Sequence, residues 1–186
     1  MYVDVDIRHG LGLLFIAISL AILIAAIFSY ILSKNHIPYA YYLLLWVGSF
    51  SVSLGLTFFK ERKVFSSIKS KMKKSLSWPL YVKIINGLCW AGPFLVIPVL
   101  HNLYPYLILL GIGMGNISTY FFIKRYSRAD NKEQLMVGLI AICGIPIAIV
   151  LETTIFSTNY EIALLFSRLL ISFSYGVGGI YSLIAK

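Results

Sequence analysis

The chain has 186 residues, 59% of them hydrophobic and only 12% charged, with a mean hydropathy of +0.85. A water-soluble domain is about 45–50% apolar and about 25% charged, so this composition excludes a soluble enzyme, a disordered tail and a secreted disulfide scaffold. A membrane-crossing helix uses about 20 apolar residues; at that rate the length suffices for six spans with short connections and leaves no room for a separate aqueous domain.

The first apolar run, Gly10 to Leu32, carries no charge and is long enough to cross. It exceeds a secretory core, its leader MYVDVDIRHG is not net basic, and no small-x-small site follows, so it reads as a permanent anchor. In that leader Asp4 and Asp6, with Arg8 and His9, form a short charged cluster suited to capping the coming helix. The second span covers about Tyr39 to Phe59. The third, about Pro79 to Leu100, holds Lys83 and Asn86 near its start and Pro93 and Pro98 further on. The fourth is about Leu103 to Ile123. The fifth, about Gln134 to Phe156, contains Pro146 and Glu152, and the sixth, about Ile162 to Ile184, contains Arg168. Intramembrane helices tolerate proline where neighbours satisfy the freed carbonyls, with kinks as the consequence. The expected fold is thus an all-α bundle of six transmembrane helices in a single domain.

Basic residues orient it. The connection after span two holds Lys60, Arg62, Lys63, Lys69, Lys71, Lys73 and Lys74, and the one after span four holds Lys124, Arg125, Arg128 and Lys132. The alternate connections contain only Lys34, so both termini are expected in the cytoplasm of a cell membrane. Most of the net charge of +9 is therefore topological. Between Lys60 and Trp78, Val64, Phe65, Ile68, Met72 and Leu76 recur at helical spacing among the lysines. That pattern predicts an in-plane amphipathic helix with Lys69, Lys71, Lys73 and Lys74 toward anionic headgroups, or else a plain positive-inside linker. No nucleic-acid-binding motif accompanies these residues.

Charged and amide groups inside spans are site candidates by default. Glu152 and Arg168 fall toward the same outer side, and adjacent antiparallel helices would bring them together as a charge-assisted pair. They are read either as a structural clasp or, with Asn86 and Asn116, as the lining of a substrate or ion path. Small residues mark close helix approach: Gly111, Gly113 and Gly115 in span four, Gly176, Gly178 and Gly179 in span six, and the stripe Ala17, Ala21 and Ala25 in span one. These suit packing within one bundle or contacts with a further subunit, the alanine stripe being a candidate dock for a coupling subunit. Spans two, four and six end alike, in SLGLTFFK, GNISTYFFIK and GVGGIYSLIAK, which hints at a repeated two-helix hairpin.

Signatures of chemistry are lacking. His9, His36 and His101 stand apart, Cys89 and Cys143 lie in separate spans, and no cluster has metal-ligand spacing. GIGMGN lacks the preceding strand that a dinucleotide fingerprint needs. No enzyme activity and no cofactor or metal is expected. Two functions remain: a small transporter or the substrate-binding membrane subunit of a transport system, or a non-catalytic accessory or assembly subunit of a larger membrane complex. Expected partners are the bilayer, other subunits or further copies of the chain, and not nucleic acid.

Overall fold

The computed structural model describes residues 2–62, 66, 78–127, 130–155 and 159–185. Among them there is no strand; six helices carry the chain: α1 Tyr2–Lys34, α2 Tyr39–Lys60, α3 Leu80–Val96, α4 Tyr104–Phe122, α5 Lys132–Val150 and α6 Tyr160–Ile184. Five are long and apolar enough to cross a membrane, and α3 is a shorter apolar helix of 17 residues. The lysine-rich stretch expected to lie in plane falls almost wholly outside the described residues.

Local chemistry sets the boundaries. α1 starts at Tyr2, well ahead of the expected Gly10, so the backbone of the Asp4–Asp6–Arg8 leader is part of the helix rather than a cap before it. α1 ends in paired bonds from the backbone N–H groups of His36 to Ser33 O (3.1 Å) and of Ile37 to Leu32 O (3.1 Å). That closure requires a left-handed residue, and His36 occupies it with φ 51°. Glycine is the usual choice there. Because a side chain in this region costs about 1–2 kcal/mol, His36→Gly is expected to raise stability by about 1 kcal/mol, read as a later unfolding midpoint in micelles. α3 stops at Val96, short of the expected Leu100: Pro93 already sits inside it, and Pro98 cannot continue the amide ladder. α4 and α5 each continue into one π-helical turn, Ile123–Ser127 and Leu151–Ile155. Asn159 caps α6, its side chain accepting from the Ile162 N–H at 3.4 Å.

The helices pack in the order α2, α1, α6, α5, α4, α3, each against the next, and α4 also touches α6. The helices at the two ends of the chain, α1 and α6, thus pack together at the centre of the order. Many buried positions are small or polar, among them Ala17, Ala21, Ala25, Ser29, Asn116, Ala141, Ser167, Ser172 and Ser174, and they surround an apolar cluster of Phe15, Ile22, Leu109, Val137, Ile171 and Tyr175. Large apolar side chains point outward, with Leu44 67%, Phe59 72%, Leu80 73% and Leu95 71% exposed. A water-soluble protein does the reverse, whereas helices associating in lipid bury small residues because the tails outside are as apolar as leucine.

Two antiparallel pairs meet through glycine in matching fashion. A Cβ on Gly179 of α6 would lie 2.7 Å from Ile16 Cγ1 and 2.9 Å from Gly12 O of α1; one on Gly138 of α5 would lie 2.6 Å from Ile117 Cγ1 and 2.9 Å from Gly113 O of α4. Gly111 and Gly115 face α3, under the rings of Phe94 and Trp90, while Gly178 meets Val137 of α5 and Gly176 meets Ser19 of α1. The alanine stripe does not dock an outside subunit. Ala17, Ala21 and Ala25 are at most 4% exposed, covered within this chain, and one turn further Ser29 Oγ accepts from Trp46 Nε1 of α2 at 3.0 Å.

Candidate functional site

Two groups of three helices emerge from the side-chain contacts. In the first group, α1, α2 and α6, Ser19 Oγ donates to Ser172 O at 2.7 Å and Ser172 Oγ to Ser19 O at 2.8 Å. Ser182 Oγ donates to Arg8 O at 2.7 Å, Ser33 donates to Glu161, and Phe15 meets Tyr175 edge to face at 5.6 Å. In the second group, α3, α4 and α5, Asn86 Oδ1 accepts from Ser118 Oγ at 2.7 Å and from Thr119 Oγ1 at 3.0 Å. Trp90 Nε1 donates to Thr119 Oγ1 at 3.0 Å, and Tyr81 and Tyr126 share a hydroxyl contact of 2.7 Å across α3 and the π turn after α4. Asn86 thus serves the α3–α4 contact.

Between the groups runs a seam, and it carries polar side chains at three depths. At the terminal end, where α1 begins and α6 ends, Arg8 Nε of α1 lies 4.0 Å from Glu133 Oε2 of α5. The Glu133 side chain is 1% exposed and that of Arg8 27%, and neither of those two atoms has a hydrogen-bond partner. Glu133 is buried because Gly178 lets α6 come close to the first turn of α5: a Cβ there would sit 3.1 Å from Glu133 O. At mid-depth Asn116 Nδ2 of α4, bonded to its own Ile112 O at 2.8 Å, reaches Tyr175 OH of α6 at 3.4 Å. Toward the opposite end stand Glu152, on the π turn that prolongs α5, and Arg168 of α6.

Glu152 and Arg168 do not form the expected clasp. Glu152 Oε2 accepts instead from the Tyr106 hydroxyl of α4, within its own group. The Arg168 guanidinium lies 5.4 Å from the centroid of the Trp46 ring, also within its own group, and its Nε is buried without a partner. A cation over an indole face is attracted by the ring quadrupole, but that contact uses none of the guanidinium's N–H donors. The π turn that carries Glu152 packs against α6, the helix that carries Arg168. Of the interhelical side-chain hydrogen bonds and ion pairs named above, all but two join helices of one group. Those two, Arg8 with Glu133 and Asn116 with Tyr175, are the longest.

No protein-family model, curated protein or solved structure matches the chain.

Sequence reasoning placed Asn116, Glu152 and Arg168 where the structure has them facing other helices, but it passed over Glu133. That residue stands among Arg128, Asp130 and Lys132, where a loop charge is expected, and the ion pair of Lys132 with Asp130 at 3.4 Å is indeed half exposed. The signal was the stripe Glu133, Val137, Ala141, Gly144 and Ala148, one helical face that is buried throughout. Among the described residues no group of three or more His, Cys, Asp or Glu is disposed to hold a metal ion.

Proposed function

We propose that the chain is an integral membrane protein that carries a small polar solute along the seam between its two three-helix groups, either alone or as the substrate-capturing membrane subunit of a transport system. The reading places both termini in the cytoplasm, so that Arg8 and Glu133 close the inner end and Glu152 and Arg168 stand at the outer end. One observation carries it: short polar contacts tie each group together, while the seam holds polar side chains from both groups at three depths, joined at 3.4 and 4.0 Å or not at all. Intramembrane ionisable groups are costly, and they are retained where they face a partner or a path. Two groups stapled internally by side-chain hydrogen bonds, and held to each other by apolar packing with only two long polar contacts, are what rocking about a fixed route requires.

The test is a pair of distance distributions measured by spin labelling in nanodiscs, with Cys89 and Cys143 first replaced by alanine. Labels at Lys34 and His101 span the seam; labels at Lys34 and Tyr160 stay within one group. Two populations across the seam and one within the group are expected. A single narrow distance in both would overturn the carrier.

A second reading, an accessory subunit of a larger membrane complex, draws on Gly48 and Gly55 of α2 and Gly87 and Gly92 of α3. A Cβ at any of these would meet nothing within 4 Å, so a helix from outside has room to approach there. Native purification in mild detergent decides for it if a stoichiometric partner set accompanies the chain.

A further inference from the structure

We infer that Glu152, Arg168 and the aromatic side chains that hold them, Tyr106 and Trp46, form a binding site for a zwitterion, a molecule with a cationic amine and an anionic acid group. The inference rests on the carrier reading and gives it a substrate class.

Charge balance points to the ligand. Arg168 presents a guanidinium whose buried Nε has no acceptor. Glu152 presents a carboxylate of which one oxygen is held by Tyr106, while among the described residues the other accepts nothing. Each is the other's natural counter-charge, they come from opposite sides of the seam, on a π turn and a helix that pack against each other, and yet no ion pair joins them. A monoanion seated on Arg168 would leave Glu152 uncompensated as the seam closes, and a monocation on Glu152 would strand Arg168. Uncompensated charge away from water is heavily penalised. A zwitterion matches both charges and leaves the site neutral.

The two anchors also suit the two ends of such a molecule. A guanidinium fork takes a carboxylate or phosphate in bidentate fashion, and the Trp46 ring already holds that fork from one side. An ammonium finds a carboxylate in Glu152 beside the aromatic ring of Tyr106, whose hydroxyl contacts it; such rings attract cations through their faces. The same chemistry occurs in a soluble amino acid and in a phospholipid headgroup that carries both an amine and a phosphate, so the experiment has to separate the two sources.

Purified protein in nanodiscs of phosphatidylglycerol is heated with leucine, with 4-methylpentanoate, which lacks the amine, and with isoamylamine, which lacks the acid. A second series uses 4-aminobutyrate, butyrate and butylamine, which set the charges further apart. A parallel sample without solute replaces phosphatidylglycerol with phosphatidylethanolamine. One zwitterion, soluble or lipid, is expected to raise the melting temperature, with the single-charge analogues binding about a hundredfold more weakly. The responding arm identifies the source.

Arg168→Gln and Glu152→Gln should each abolish the response. Arg168→Lys, which keeps the charge but loses the fork, should weaken it, and the exchange Arg168→Glu with Glu152→Arg should restore it in protein that elutes as a single species. Single-charge analogues binding as well as the zwitterion, a response indifferent to both residues, or no response in any arm would overturn the site. Zwitterion binding without accumulation inside proteoliposomes would leave the site standing and overturn the carrier. Accumulation of a solute indifferent to Glu152 and Arg168 would do the opposite.

Discussion

Replacing Arg8 with leucine is expected to destabilise the protein by about 3–5 kcal/mol, the cost of leaving a buried charge without its partner. Glu133 is the stranded group. Its side chain is 1% exposed, and Arg8 is the cation that faces it across the seam. The reverse change, Glu133→Gln, should cost less, about 1–2 kcal/mol, because the Arg8 side chain is 27% exposed and can carry its head toward water on a flexible stem. Arg8→Leu combined with Glu133→Leu should recover most of the loss, since apolar replacement of a whole buried pair is often neutral or better. Denaturant unfolding in mixed micelles measures all three. A loss below about 1 kcal/mol for Arg8→Leu, or a double variant no more stable than the single, would sink the idea that the pair holds the terminal end of the seam. In the carrier reading, the double variant should also cross-link less readily between α1 and α5, because the charge attraction that brings the two groups together at that end is gone.

The second large effect is a reversal of sign among glycines. At Gly138 and Gly179 two of the three nearest atoms to an added Cβ are backbone: Gly113 O at 2.9 Å and Ile117 N at 3.0 Å for the one, Gly12 O at 2.9 Å and Ile16 N at 3.0 Å for the other. Backbone cannot swing aside, so alanine forces the helices apart at about 1–3 kcal/mol, and leucine should prevent assembly of the pair. At Gly48 and Gly87, where the added atom meets nothing, alanine should stabilise by about 0.5–1 kcal/mol through helix propensity alone. Gly111 and Gly115 should fall between, since what blocks them is the ring of Phe94 or Trp90, and a ring on a side chain has somewhere to move. Thermal unfolding of the six alanine variants ranks them; a uniform penalty would show that the glycines act through backbone flexibility rather than through close approach.

Both effects depend on residues that differ in how visible they are beforehand. The glycines of α4 and α6 stand out in the sequence because small residues in an apolar run have few other uses, and five of the six singled out there do meet a neighbouring helix within 2.7 Å of an added Cβ. Gly12 and Gly138, their partners, were not singled out, because a lone glycine has no pattern to betray it. Arg168 and Glu152 were legible as charges in the wrong place. Their mutual pairing was inferred from adjacency of α5 and α6, and it failed for a specific reason: Tyr106 of α4 and Trp46 of α2 reach them from their own groups first. Asn86 and Asn116 looked alike as intramembrane amides, yet one serves the α3–α4 contact and the other faces Tyr175 across the seam.

What the sequence determined by itself was the number of apolar runs, their helical nature and which groups are too polar to lie easily among them. Those are properties of single segments, set by hydropathy and by the obligation of every backbone amide to find a partner where water is scarce. The order in which the helices pack, α1 against α6 rather than among its sequence neighbours alone, was settled only in three dimensions. So was the fate of each polar group. Which glycine admits which helix, and which side chain reaches a charge first, depends on crossing points spread over the whole chain; the contacts that divide it into two groups join residues as far apart as Ser19 and Ser172.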